Sequence, residues 1–294
     1  MTERHGYDYS MENKRVNQTP RRKRKHHGAG FILAVTLIIA AVCVGGVFAG
    51  VYFSGLRYMK VETGSGGYIK FFGRVDSDGS PKSGTLYFSD GGTAKIDSES
   101  GTVTYSTGDI YEGQLKNLLK DGYGKLSYAS GDVYEGEFKD DEITGTGTFT
   151  FSNFDVYEGE LVNGKKQGLG TYTWADGSIY IGGFDNDMKN GSGVYSWADG
   201  SSYEGTYVND KKDGTGKYVF SNGDVYEGEY KNDMRTGKGT YTWANGEVYV
   251  GDFVDNKMHG WGVYTWPSNR VYEGYFENGK IVPVETGTTP SDGE

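Results

Sequence analysis

The sequence is poor in the side chains that catalysis and metal binding use most. Of 294 residues one is a cysteine, Cys43, and of four histidines only His259 lies beyond residue 54. No disulfide can brace that long remainder, so its stability must come from packing alone. The same count excludes a zinc site of the usual His/Cys kind there. Positive charge is scarce as well: residues 28–294 carry 22 Lys/Arg against 37 Asp/Glu, a balance of −15, which argues against nucleic acid as a partner. No glycine-rich loop leads into a helical pattern, so the 49 glycines are not phosphate cradles. Asp76 to Ser80 resembles the start of a calcium loop but lacks the later ligands and the bidentate Glu, and reads as a turn. We expect no cofactor, no metal and no enzyme.

Long apolar runs are equally rare, and there is one. Gly28 to Leu56 contains no charged residue, and its core Phe31 to Phe53 has 23 residues. At about 1.5 Å each these cross a hydrocarbon layer of about 30 Å as a helix. Residues 1–27 carry eight Lys/Arg against three Asp/Glu, so the positive-inside rule keeps the N-terminus in the cytoplasm and sends the rest across. Val47-Phe48-Ala49 also offers a signal-peptide cleavage site, although the apolar run is longer than a usual signal core. Gly46 and Gly50 form a G-x-x-x-G, a candidate contact between two such helices.

What the remainder does have is a period. GDVYEGEF at Gly131 to Phe138 returns as GDVYEGEY at Gly223 to Tyr230, and its tyrosine recurs at Tyr111, Tyr134, Tyr157, Tyr180, Tyr203, Tyr226, Tyr249 and Tyr272, seven steps of 23. A fixed period of this size means a repeat architecture. A glycine follows each tyrosine at the second place and an apolar or aromatic residue at the fourth, so in a strand all three share one face. A glycine pair stands eleven and thirteen residues after each of the first seven tyrosines, and a second alternating run such as Gly239 to Trp243 follows. Asp-Gly or Asn-Gly, as at Asp176-Gly177 and Asn245-Gly246, then marks a hairpin turn. Each repeat reads as one β-hairpin with strands of roughly five residues. Phe154 replaces the turn glycine once, and a bulky residue tolerates positive φ poorly, so a different turn is expected there. Phe71 and Ala94 mark two degenerate leading units.

The acidic residues form a ladder: Glu112, Glu135, Glu158, Glu204, Glu227 and Glu273 recur beside the tyrosines and face away from them. Rungs two strands apart are about 10 Å from one another, too wide and too repetitive for a glycosidase pair. Ile181 and Val250 interrupt the ladder and leave apolar gaps for a partner. His259 sits where other repeats carry Gln167, Asn190 or Thr236, and reads as one more polar residue. The aromatic columns that include Tyr172, Trp174, Trp197, Tyr218, Trp243 and Trp266 either pack on one another or present a binding face. Whether Trp174 shares a face with Tyr180 depends on a turn of two or three residues.

YEGEF, the run Gly164 to Tyr180 and the 23-residue step, from Phe71 to Phe276, resemble the membrane occupation and recognition nexus (MORN) repeat. The resemblance implies an all-β, elongated, twisted, single-layer antiparallel sheet of tandem hairpins. It also implies repeats that are usually non-catalytic: scaffolds, dimerisation surfaces or lipid-proximal spacers. A membrane helix before an exported array resembles the bacterial members. The expected order is a disordered basic tail at 1–27, the membrane helix at 28–56, a linker at 57–67 and the array at 68–282. Within the array residues 68–100 are degenerate and 101–282 regular, and a disordered tail fills 283–294. The expected partners are the membrane, a protein or a second copy of the chain, and alternatively an envelope glycan held by the Tyr/Trp face.

Overall fold

The computed structural model describes residues 55–283, and every regular element among them is a β-strand. The basic tail, the expected membrane helix as far as residue 54 with Gly46 and Gly50, and the C-terminal residues beyond Pro283 lie outside the described residues. Among the described residues no helix is long and apolar enough to cross a membrane. The strands fall into two compact units, residues 55–152 with 161–165, and residues 153–160 with 166–283. Within each, strands that follow one another in sequence pair antiparallel.

Three expectations need correction. The stretch expected as a linker is sheet: Leu56–Glu62 pairs with Tyr68–Val75, Leu56 opposite Arg74 and Glu62 opposite Tyr68. It covers a row of N–H and C=O groups that would otherwise be an open edge. The strands of the regular repeats are also longer than five residues; Val225–Lys231 has seven and Met234–Thr242 nine. Only Asn232 and Asp233 separate them, at φ +49° and +70°. Two consecutive left-handed residues make the type I′ turn, whose twist matches that of the flanking strands. The third correction concerns Phe154. It keeps the turn of its neighbours, with φ +72° where Gly177 has +89°. Asn153 Oδ1 accepts the N–H of Asp155 at 3.1 Å, as Asn222 does that of Asp224 at 3.0 Å. The left-handed conformation costs a non-glycine residue about 1–2 kcal/mol, which the pairing around it overrides, and the ring projects into solvent.

The core is a ladder of rings set over glycines. Tyr226 is fully buried and its Oη donates to the carbonyl of Glu229 at 2.9 Å. To get there the ring lies across Gly228 and the facing Gly239. A Cβ on Gly228 would come within 2.5 Å of the tyrosine oxygen. Tyr226 then meets Tyr230 of its own strand and Phe253 of the next repeat edge to face, at 5.2 and 5.0 Å. The other glycine of the pair serves a different purpose, since Gly237, at φ +56°, makes a bulge where the register slips after Gly228. In the leading units Phe71 takes the tyrosine's place, fully buried beside the facing Gly73 and Gly84.

One member of the ladder is imperfect. Tyr207 occupies the column of Phe184 and Phe253, and its buried hydroxyl has no hydrogen-bond partner. Burial pushes the phenol well above its ordinary pKa. Tyr207→Phe should therefore raise stability by about 1 kcal/mol, seen as a higher urea midpoint at unchanged slope. A lower midpoint would show that the hydroxyl has a role that packing does not explain.

Candidate interaction surfaces

One sheet face carries the aromatic columns. Tyr172 stands opposite Tyr180, and Tyr180 opposite Tyr195, so all three share that face. Trp174 joins them, stacked on Tyr195 with centroids 4.8 Å apart. The turn responsible has three loop residues: Gly177 N–H bonds to Trp174 O and Trp174 N–H to Ser178 O, each at 2.9 Å. Tyr172, Trp174, Trp197, Tyr218, Trp243 and Trp266 are all half-buried, packed ring on ring. Tyr172 and Tyr241 also donate to Asp155 and Asp224, at 2.9 and 2.7 Å.

Between the rings runs a column of cations that the sequence reading missed. Lys212 lies over Trp197, Tyr203 and Tyr218, with Nζ 5.6, 5.7 and 5.3 Å from the centroids. Lys189 does the same over Tyr180, Tyr195 and Tyr207, and Arg235 over Phe220, Tyr226, Tyr241 and Phe253. In the first unit Lys120 sits 5.4 Å from the Tyr105 ring and 3.0 Å from the Asp141 carboxylate. Burial alone would lower the Lys120 pKa, but Tyr105 and Asp141 outweigh it and hold it above the ordinary value. The signal was there: a Lys or Arg at the second residue after the I′ turn, at steps of 23. The column is hydrogen-bonded as well, since Lys212 N–H donates to Asp233 Oδ1 at 2.9 Å and Asp233 N–H to Lys212 O at 2.9 Å.

The opposite face is where the glutamates point, and it is broken at the two expected places. Ile181 is 57% and Val250 50% exposed. Around Ile181 stand exposed Val194, directly opposite, Ile179 on the same strand, and Leu169 one strand away. Val250 faces Val263, whose strand also presents Trp261. The Trp261 ring lies edge to face against exposed Tyr275 at 5.0 Å. Trp261 and Leu169 are a second omission of the sequence reading; both stand between the two glycines of the pair, a site that points outward in a strand. His259 pairs across the strand with Asp252, and its carbonyl accepts from Tyr249 Oη at 3.3 Å.

A family model described as the MORN repeat matches seven consecutive segments, 111–133, 134–156, 157–179, 180–202, 203–225, 226–248 and 249–269. No curated protein sequence matches significantly. Among solved structures, the TCP10 domain of Danio rerio CPAP in complex with a STIL peptide is similar at 14% identity and TM-score 0.37, covering 75% of this chain and 100% of its own. The TCP domain of Drosophila melanogaster SAS-4, with a proline-rich motif of Ana2, is similar at 11% identity and TM-score 0.24, covering 88% and 99%. A streptogramin B lyase is similar at 14% identity and TM-score 0.15, covering 76% and 84%.

Proposed function

Because the chain belongs to the MORN repeat family, with seven matched repeats over 111–269, we propose that it is a non-catalytic, membrane-anchored scaffold whose array makes protein–protein contacts outside the cytoplasm. The observation that carries the contact is the broken glutamate face. A row of outward carboxylates discourages association, and at Ile181 and Val250 the row gives way to exposed apolar clusters. The anchor rests on the uncharged run Gly28 to Leu56 and the basic leader before it. Absence of catalysis rests on the scarcity of cysteine and histidine, with His259 the one histidine beyond residue 54.

The test is association of the purified full chain with itself or with a protein from its own membranes. Ile181→Glu and Val250→Glu restore the ladder. Each should abolish association while moving stability by no more than about 0.5 kcal/mol, since both sites are on the surface. A wild-type chain that stays monomeric and retrieves no protein would sink the reading. Retention on isolated cell wall, lost on changing Trp174, Trp197 and Trp243 to alanine, would replace it with glycan binding.

A further inference from the structure

Each aromatic cage along the inner face of the second unit holds a cation that the chain supplies itself, until the last. Lys166, Lys189, Lys212 and Arg235 occupy the column in turn, and the next member is Met258. The rings that surround Arg235 are Phe220, Tyr226, Tyr241 and Phe253. One repeat on, the same four places hold Trp243, Tyr249, Tyr264 and Phe276, so the cage is complete and its cation is missing. The I′ turn whose Asp233 and Asp141 carboxylates accept the backbone N–H of Lys212 and Lys120 here offers Gly279, which has no side chain and only donates its N–H to the Met258 carbonyl.

A cleft of 380 Å³ opens at this place, lined by Trp243, Met258, Tyr264, Trp266, Phe276 and the end of the last strand. The other departure from the column behaves differently: Ile143, in the first unit, is buried. Glu247 brings a negative charge to the cage, where burial and that charge together raise the pKa of the Tyr264 phenol. Two cations are already close. Arg270 lies 3.9 Å over the Trp266 ring, and Lys280 lines the cleft. The rings equivalent to the cage of Lys212, which are Trp243, Tyr249 and Tyr264, have no such partner from the cation column.

We propose that this cleft is a binding site for an external cationic side chain, a lysine or arginine of a protein partner, which enters where the chain's own column ends. The site names the chemistry of the partner in the scaffold reading above and rests on that reading for the source of the cation. Ring faces and a desolvated ammonium attract electrostatically, and the repeats behind Met258 show the same rings used in that way.

The test uses the full chain and a short neutral-flanked peptide, N-acetyl-Gly-Gly-Lys-Gly-Gly amide, against its Nε-acetylated form, which replaces the one cation with a neutral amide. The indole N–H resonances of Trp243 and Trp266 should shift saturably with the lysine peptide, and at least about tenfold more weakly with the acetylated one. That of Trp261, on the outward face, should not move. Met258→Lys fills the cage with the residue found at 166, 189 and 212, so it should fold and should remove the response. Lys280→Ala removes a competing charge and should strengthen it. Equal binding of the two peptides, or an undiminished response in Met258→Lys, would overturn the proposal. A lysine response in a chain that captures no protein would uphold the cleft and sink the scaffold reading; capture without a lysine response would do the reverse.

Discussion

Gly228→Ala is expected to cost about 3 kcal/mol, a large share of the stability of a domain, although it adds one methyl group. The new Cβ would stand 2.5 Å from Tyr226 Oη, 2.6 Å from Gly239 Cα and 2.7 Å from Lys238 O. Two of these are backbone atoms of the paired strand and cannot give way without breaking the ladder. The third belongs to a ring that is itself wedged between Tyr230 and Phe253. Tyr226 must therefore leave its bond to Glu229 or the strands must part. Gly200→Ala is the control, since Gly200 has φ +85° but nothing within 4 Å of its Cβ. It should cost only the conformational strain, about 1 kcal/mol. Urea midpoints measure both, and equal costs would show that the crowding over Gly228 does not matter.

The buried tyrosines should also make the array collapse in alkali. Burial away from water, helped by Asp210 beside Tyr180, Asp233 beside Tyr203 and Asp252 beside Tyr249, pushes these three phenols from 10.0 up to about 12. Tyr111, Tyr134, Tyr157 and Tyr226 are pushed higher for the same first reason. A phenol is neutral when protonated, so the folded chain holds its proton after the unfolded chain has lost it. Stability is then complete below about pH 10 and falls as the pH rises toward 12 and beyond. Because the rings within each unit pack on one another, phenolate absorbance should rise and the β-sheet circular dichroism fall together and steeply. Gradual ionisation with the sheet intact would mean that the anchors are wetter than their burial implies.

The period, the hairpins and the common face of Tyr226, Gly228 and Tyr230 could be read from the residues, because alternation and spacing are properties of the chain itself. The I′ turns could not be found by looking for Asn-Gly alone. Asn232-Asp233 and Asp140-Asp141 contain no glycine, and their left-handed conformation depends on the tolerance of Asn and Asp for positive φ. Phe154 misled in the opposite sense, since local preference lost to the pairing around it. The cation column was hidden for a geometric reason. Lys212 shares its strand with Tyr218 but meets Tyr203 of the paired strand and Trp197 of the preceding hairpin, and only strand pairing brings these together. The broken glutamate face was visible at Ile181 and Val250, but the rings beside it, Trp261 and Tyr275, become neighbours only once their strands pair.

The two-residue turns bear on how such a chain is made. Asp233 reaches back to Lys212 through both its backbone and its carboxylate, while Asp224 holds the N–H of Ala244 at 2.8 Å in the repeat ahead. Every repeat thus leaves the ribosome with hydrogen-bonding groups that only its successor completes. Folding can advance in steps of one repeat, each emerging turn latching onto the strand before it, with no contact that waits for a distant part of the chain.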